Sequence, residues 1–391
     1  MEKEKQLIPQ LRFPEFEDDW KKCKIGDTFK LFNGYAFSSS DSLNSDGALW
    51  VKIADVGIDK MKTDNLSYLP YEYVEKYKKF ILSEGDYVIA LTRPILSGNL
   101  KIARIDKYFN NSLLNQRVAK LITDNNSSFI YNLLKGDRLI KSIENNIAGS
   151  DPPNLSPNDI NHIKINIPQL PEQQKIASFL TAIDAKITKL TKKKALLAQY
   201  KKGVMQKIFK QEIRFKDDEG NVFSDWQEKK LGEVSNITTG SSNRQDSGLD
   251  GQYTFFDRSE DIRTSSRYLF DGKAVIVAGE GSHFVPKYYV GKFDLHQRTY
   301  AIMDFKESDS KFIYFYIHFH RRYFLSQAVG STVKSLRLPM FQKMPILLPE
   351  KEEQTKIANF LSAIDLKIEA LNTKIENSKT FKKGLLQQMF V

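Results

Sequence analysis

The sequence predicts an α/β (α+β) protein of two mixed lobes, each running into a copy of one long helix. Three observations predict it. First, KIASFLTAIDAKI at Lys175 to Ile187 returns as KIANFLSAIDLKI at Lys356 to Ile368. This offset of 181 residues holds without a gap from Pro168/Pro349 to Phe209/Phe390, with about half the paired positions identical. Second, apolar residues in both copies alternate at spacings of four and three, the heptad pattern of a coiled coil. Third, the stretches before the copies are rich in short β-type runs split by Gly, Asn, Asp and Ser turns. Two copies separated by more than a hundred residues do not stack as a repeat array, so each closes its own half of the chain.

Length and composition bound the classes. A chain of 391 residues has room for two to three domains, and its 41% hydrophobic and 27% charged content is ordinary for a globular protein. No run approaches eighteen apolar residues, so no membrane span is expected, and the charged start Met1-Glu-Lys-Glu-Lys does not read as a signal peptide. The lone Cys23 excludes an internal disulfide framework and a multi-cysteine zinc site, and a reducing, cytoplasmic setting is expected. A net charge of +11 points to a polyanion partner, most often nucleic acid. Between Glu172 and Lys210 ten lysines stand against two acids, whereas Glu350 to Val391 holds seven against six. Most of the excess charge therefore lies on the first helix, so basicity alone says little about the lobes.

The elements follow in order. Arg12-Phe13 and Trp20 open the first lobe, and Arg214-Phe215 and Trp226 open the second; Lys24-Ile25-Gly26-Asp27 and Lys230-Leu231-Gly232-Glu233 follow. Trp20/Trp226 and Gly34/Gly240 share an offset of 206. Strands are expected at 48–53, 86–91, 101–105, 274–277 and 300–303, and helices at 128–146 and 311–328. The lobe ends match again at offset 181: Gly149-Ser150 with Gly330-Ser331, Leu155 with Leu336, and Ile165-x-Ile167-Pro168 with Ile346-x-Leu348-Pro349. Gln116-Arg117 and Gln297-Arg298 keep that offset inside otherwise dissimilar lobes. The helix seam is expected at Ile176, Leu180, Ile183, Ile187 and Leu190, and at Ile357, Leu361, Ile364, Ile368 and Leu371, broken at Lys194, Lys201, Ser378 and Lys382. Each copy's simplest partner is the other. A helix from Glu172 to Phe209 would be roughly 57 Å long, about one and a half turns of B-DNA. One amphipathic core helix per domain is the plainer reading, but it does not explain the same sequence in two dissimilar domains.

A search for catalytic chemistry finds little. Asp151-Pro152-Pro153-Asn154 approaches the Asp/Asn-Pro-Pro-aromatic loop of amino-methyltransferases, but Asn stands where the aromatic would stack and no methyl-donor loop precedes it. Gly279-Glu280-Gly281-Ser282 lacks the Lys-Ser/Thr of a phosphate loop and reads as a turn after a strand. His318 and His320 point apart on a helix and share no metal. The DNA-binding candidates are Lys52, Arg93, Lys101, Arg104 and Arg117 in the first lobe. In the second they are Arg244, Arg258, Arg263, His283, Lys287 and Arg298. Arg can grip guanine in the major groove, and either cation can neutralise phosphate. Ordinary surface charge is the plain alternative for each. For the repeated Gln-Arg pairs a scaffold role is the sharper one, because base readers should differ between lobes.

Two variable lobes followed by PEQQKIASFLTAIDAKI and KKGVMQKIF, then by EEQTKIANFLSAIDLKI and KKGLLQQMF, resemble the DNA-specificity subunit of Type I restriction-modification enzymes. RFPEFEDDW and FSDWQEKKLGEV are also similar to that family, and the resemblance spans essentially the whole chain. It implies target recognition domains at 1–168 and 213–349 and helical spacers at 169–212 and 350–391. It implies an antiparallel, pseudo-two-fold helix pair that sets the unread spacer between two half-sites of double-stranded DNA. Two modification subunits with the adenine methyltransferase site are expected to dock, joined by restriction subunits that translocate and cut. No cofactor is expected here, since methyl donor, ATP and Mg belong to those partners. A stand-alone DNA methyltransferase or nuclease, or a coiled-coil scaffold without DNA, is the alternative.

Overall fold

The computed structural model describes residues 8–147, 152–259 and 261–390. The charged start, the Gly149-Ser150 pair and Asp151 lie outside them. The chain divides into two compact units, 1–190 with 374–391, and 191–373. Each unit therefore takes one part of each long helix, Leu170–Phe209 and Lys351–Met389.

In the first unit, Lys21–Lys24 pairs antiparallel with Lys164–Ile167, so the strand that opens the lobe lies on the strand that closes it. Gln227–Lys230 and Pro345–Leu348 do the same in the second unit. The registers agree: Lys21 faces Ile167 and Gln227 faces Leu348, which are the same positions under the two sequence offsets.

The sheets between these ends differ. The first unit has two four-stranded sheets. One runs in the order Lys30–Asn33, Val118–Ile122, Tyr87–Ala90, Ile102–Arg104; the other runs Tyr68–Leu69, Ala48–Val51, Ser112–Leu114, Ile81–Leu82. The second unit has one six-stranded sheet, in which Lys287–Leu295 pairs antiparallel with Phe270–Ala278 and parallel with Tyr253–Phe256. Gly272 and Gly291 face each other there with φ of +141° and +123°, a backbone that side chains disfavour, so the long strands bend without breaking. In the first unit the matching strand is cut by residues 105–111, where Asp106 accepts the N–H groups of Tyr108 and Phe109 and turns the chain. The glycines at offset 206 mark a close approach: a Cβ on Gly34 would sit 2.1 Å from the Leu114 carbonyl oxygen, and one on Gly240 1.7 Å from that of Leu295. Each expected helical patch is two helices, Ser127–Leu133 with Asp137–Ile147 and Ser310–His320 with Arg322–Gln327. Gly136 sits at the first break, where the last turn tightens and its N–H donates to the Leu133 carbonyl.

The lobe ends are anchored alike. Arg12 forks onto Glu172 through Nε (2.8 Å) and Nη2 (2.7 Å), and the Trp20 indole N–H reaches the same carboxylate at 3.3 Å. Arg214 forks onto Glu353 at 3.2 and 2.7 Å, with Trp226 at 3.1 Å. Glu172 and Glu353 are buried, and only this ring of donors makes that tolerable. Phe13 meets Phe179 edge-on and Phe215 meets Phe360, both at 5.7 Å. Gln173 accepts the Asn126 N–H and Gln354 the Asp309 N–H, each fixing the cap of the lobe helix that packs beside it.

Candidate nucleic-acid interface

The Gln-Arg pairs occupy one tight turn in each unit. The turn follows Ser112–Leu114 in the first unit and Lys287–Leu295 in the second, and leads into Val118–Ile122 and Thr299–Met303. Gln116 N–H donates to Tyr35 O and Gln297 N–H to Ser242 O. Arg117 N–H is capped by Asn115 Oδ1 at 3.0 Å, and Arg298 N–H by His296 Nδ1 at 3.1 Å. The backbone is thus scaffold, while both arginine side chains are exposed.

In the second unit the turn opens onto a recess of about 250 Å³ lined by Arg244, Asp257, Arg258, Glu280, His296, Gln297 and Arg298. Three sequence candidates therefore meet in one place. Arg298 Nη1 donates to Glu280 Oε1, and Arg258 Nη1 lies 3.4 Å from Oε2. Burial pushes Asp257 up, but the Ser259 hydroxyl and N–H, with Arg244 and His296 nearby, hold it below the ordinary carboxylate value. The remaining candidates of this unit lie around it. Arg263 donates to Ser247 Oγ (2.9 Å), Lys287 Nζ donates to Ser259 O (2.8 Å), and His283 is exposed in the turn after Ala278. Behind the site, the fully buried Asp294 accepts from Ser242 (2.5 Å) and Ser265 (2.7 Å).

In the first unit, Arg93 and Lys101 line a larger recess of about 850 Å³ with Asp55, Lys62, Asp64 and Glu144. Arg93 is exposed and takes φ +48°, its N–H donating to Pro153 O at 2.8 Å. Lys101 Nζ donates to Ile53 O at 2.9 Å, and burial with the nearby Lys62 lowers its pKa. Lys52 donates to Ser67 Oγ at 2.8 Å and lies 3.9 Å over the Trp50 ring, its pKa lowered by burial. Both ammonium groups are engaged by the protein. Arg104 is exposed on the edge strand of its sheet.

The helix seam runs antiparallel within each unit. In the first, Ile176 and Leu180 share a core with Leu385, Met389 and Phe390, and Ile183 packs against it; Ile187 and Leu190 are half-buried. In the second, Ile357 and Leu361 share a core with Met205, Ile208 and Phe209; Ile364 and Leu371 are buried and Ile368 is half-buried. Each repeat motif thus mates with the tail of the other helix. The three lysines that break the seam have partners across it. Lys382 Nζ reaches both Asp184 oxygens at 2.7 Å, and Lys201 Nζ both Asp365 oxygens at 2.6 Å. Lys194 donates to Asn372 Oδ1 at 2.5 Å, so it faces the seam, whereas Lys192 and Lys193 are exposed. One register is written twice, since these Lys–Asp pairs exchange under the 181 offset.

The other motifs resolve locally. Asn154 Oδ1 accepts the Thr92 hydroxyl at 2.8 Å. His320 packs against Phe209, Tyr316 and Phe319, and no cluster of three metal-ligating side chains occurs among the described residues. No helix among them is long and apolar enough to cross a membrane. Sequence reasoning missed Glu280, Asp257, His296 and Asp294. Only Glu280 had a signal, between two glycines read as a plain turn.

Comparison with known proteins agrees with this architecture. The family model described as Type I restriction modification DNA specificity domain matches residues 17–198 and 223–378. The chain belongs to this family. It is 31% identical over 206 residues to the Type I restriction enzyme MjaVIII specificity subunit of Methanocaldococcus jannaschii, covering 52% of this chain and 48% of that one. It is 30% identical over 171 residues to the EcoDI specificity subunit of Escherichia coli, covering 43% and 38%. The chain thus spans about half or less of the length of these curated relatives. The crystal structure of an S subunit from M. genitalium superposes with a TM-score of 0.67 at 15% identity, over 98% of this chain and 99% of that one. A chain from a structure addressing assembly and conformational transition of the type I R-M system gives 0.53 at 18% identity, over 95% and 97%. At such identities these likenesses speak for the fold.

Proposed function

We propose that this chain is the non-catalytic, DNA-reading subunit of a Type I restriction-modification enzyme. Each lobe, 1–168 and 213–349, reads one half of a split site in double-stranded DNA. The helical segments 169–212 and 350–391 set the spacer and dock two adenine-methyltransferase subunits, which restriction subunits join. Methyl donor, ATP and Mg act in those partners. The exposed Arg93, Arg104, Arg117, Arg244, Arg258 and Arg298, with His283, are offered as DNA contacts, supplying guanidinium forks and imidazole where base edges and phosphates lie.

One observation carries this reading. The hydrogen bonds that build the lobe ends and helix seam repeat residue for residue, while the side chains around the Gln-Arg turns do not. A duplicated frame with unlike tips suits two unlike half-sites held at one distance. It also converts two weak contacts into one strong one by effective concentration. The test is to co-express the chain with its modification subunit and map adenine methylation across the host genome. A split motif of two unlike halves with a fixed gap is expected. Methyl transfer by the purified chain alone, or methylation without a split motif, would overturn the proposal.

A further inference from the structure

Glu280 and Asp257 are the two acids among the residues lining the recess, and Glu280 is the one bonded to two of its arginines. Its side chain is 14% exposed, whereas those of Arg258 and Arg298, which it holds, are 58% and 63% exposed. Its place is fixed from both sides. Gly279 N–H donates to Arg298 O at 2.8 Å, and a Cβ on Gly279 would come within 2.6 Å of that oxygen. Gly281 takes φ +140° and donates to Lys334 O at 3.0 Å. The carboxylate therefore sits on a backbone that cannot shift without losing the turn that carries Arg298.

The fold does not require an acid there. In the first unit Leu91 N–H donates to Arg117 O, Arg93 N–H to Pro153 O and Leu155 N–H to Leu91 O. In the second unit Gly279, Gly281 and Leu336 make the same three bonds. These matches put Thr92 at the position of Glu280. An acid also weakens attraction for phosphate, so backbone neutralisation does not explain it. A base edge does. The Arg298 fork supplies two donors, and the adjacent Glu280 oxygens, each accepting from one arginine, retain lone pairs. Donor, donor, acceptor complements a G·C pair in the major groove, with guanine N7 and O6 as acceptors and cytosine N4 as donor. An A·T pair sets its donor between two acceptors instead.

We infer that Glu280 and Arg298 together read a G·C pair in the half-site of the second lobe, with Arg258 holding the second carboxylate oxygen. The inference rests on the reading that the lobes contact DNA. The experiment compares the chain and its Glu280→Gln variant, each co-expressed with the modification subunit, by genome-wide adenine methylation. The variant should lose discrimination at one G·C position of one half-site by about tenfold to a hundredfold. The other half-site and the spacer should be unchanged. Arg298→Lys, which keeps the charge but loses the fork, should relax the same position. Should Glu280→Gln not fold, Glu280→Thr, copying the first lobe, is read in its place. Unchanged half-sites, relaxation at an A·T position, or a uniform fall at all sites would each overturn the inference. If the unaltered chain yields no split motif, the DNA-reading proposal itself has failed.

Discussion

The two units use one frame to carry two different sheets. In the second, Lys287–Leu295 is a single bent strand; in the first, the same path is broken into Ile102–Arg104 and Ser112–Leu114. Yet Arg12–Glu172–Trp20 and Arg214–Glu353–Trp226 agree residue for residue. The difference teaches where the constraint lies. Buried charge and close backbone approach tolerate few alternatives, so they recur. Strand length and tip residues are bounded by solvent and are free to diverge.

The largest expected effect tests the shared anchors. Arg214→Ala leaves Glu353 buried without its main counter-charge, which costs about 3–5 kcal/mol. Arg12→Ala should cost a similar amount through Glu172. Hydrogen exchange resolved by unit is the measurement, since a two-unit chain need not melt in one step. Each variant should lower protection in its own lobe. Equal loss in both lobes from either variant would break the comparison.

A smaller effect separates the lobes by pH. Counted from the caps Asn126 and Asp309, Tyr131 matches Tyr314 and Lys135 matches His318. Lys135 pairs with Asp59 at 2.5 Å, and although burial pushes Asp59 up, Lys135 and Tyr131 hold it below the ordinary carboxylate value. Such a depressed carboxylate contributes stability above its unfolded pKa, and this is lost only as pH falls through the acid range. His318 is depressed by burial and by Lys201 and Arg321, against a small pull from Asp365; His320 is depressed by burial alone. The unfolded chain then takes up these protons first, so the second lobe should weaken as pH falls below about 6.5. Unit-resolved exchange between pH 7.5 and 5.5 should show the second lobe loosening before the first. The reverse order would contradict the account.

The fold was legible where the chain repeats. The heptads marked Ile176, Leu180, Ile357 and Leu361 because a buried stripe must keep its spacing. The aromatic pairs and Gly34/Gly240 stood out for the same reason of limited alternatives. The seam breaks at Lys201 and Lys382 looked like gaps, because their partners Asp365 and Asp184 lie far off in sequence. The candidate site was legible in part. Arg244, Arg258 and Arg298 could be chosen one by one as cations in turns. Their meeting in one recess depends on long-range pairing of strand ends, which no local pattern encodes. Lys52 and Lys101 looked the same as those arginines in sequence but are bound by Ser67 and Ile53.

The central claim is that the helices measure and the lobes read. Its most direct test inserts three heptads in each helix, after Leu190 and after Leu371, so that both Lys–Asp pairs keep their register. Each helix lengthens by roughly 31 Å, somewhat less than the roughly 34 Å of one DNA turn. Methylation mapping should then return both half-sites unaltered with a spacer longer by about nine base pairs, at roughly 3.4 Å each. An unchanged spacer, or an altered half-site, would contradict the account.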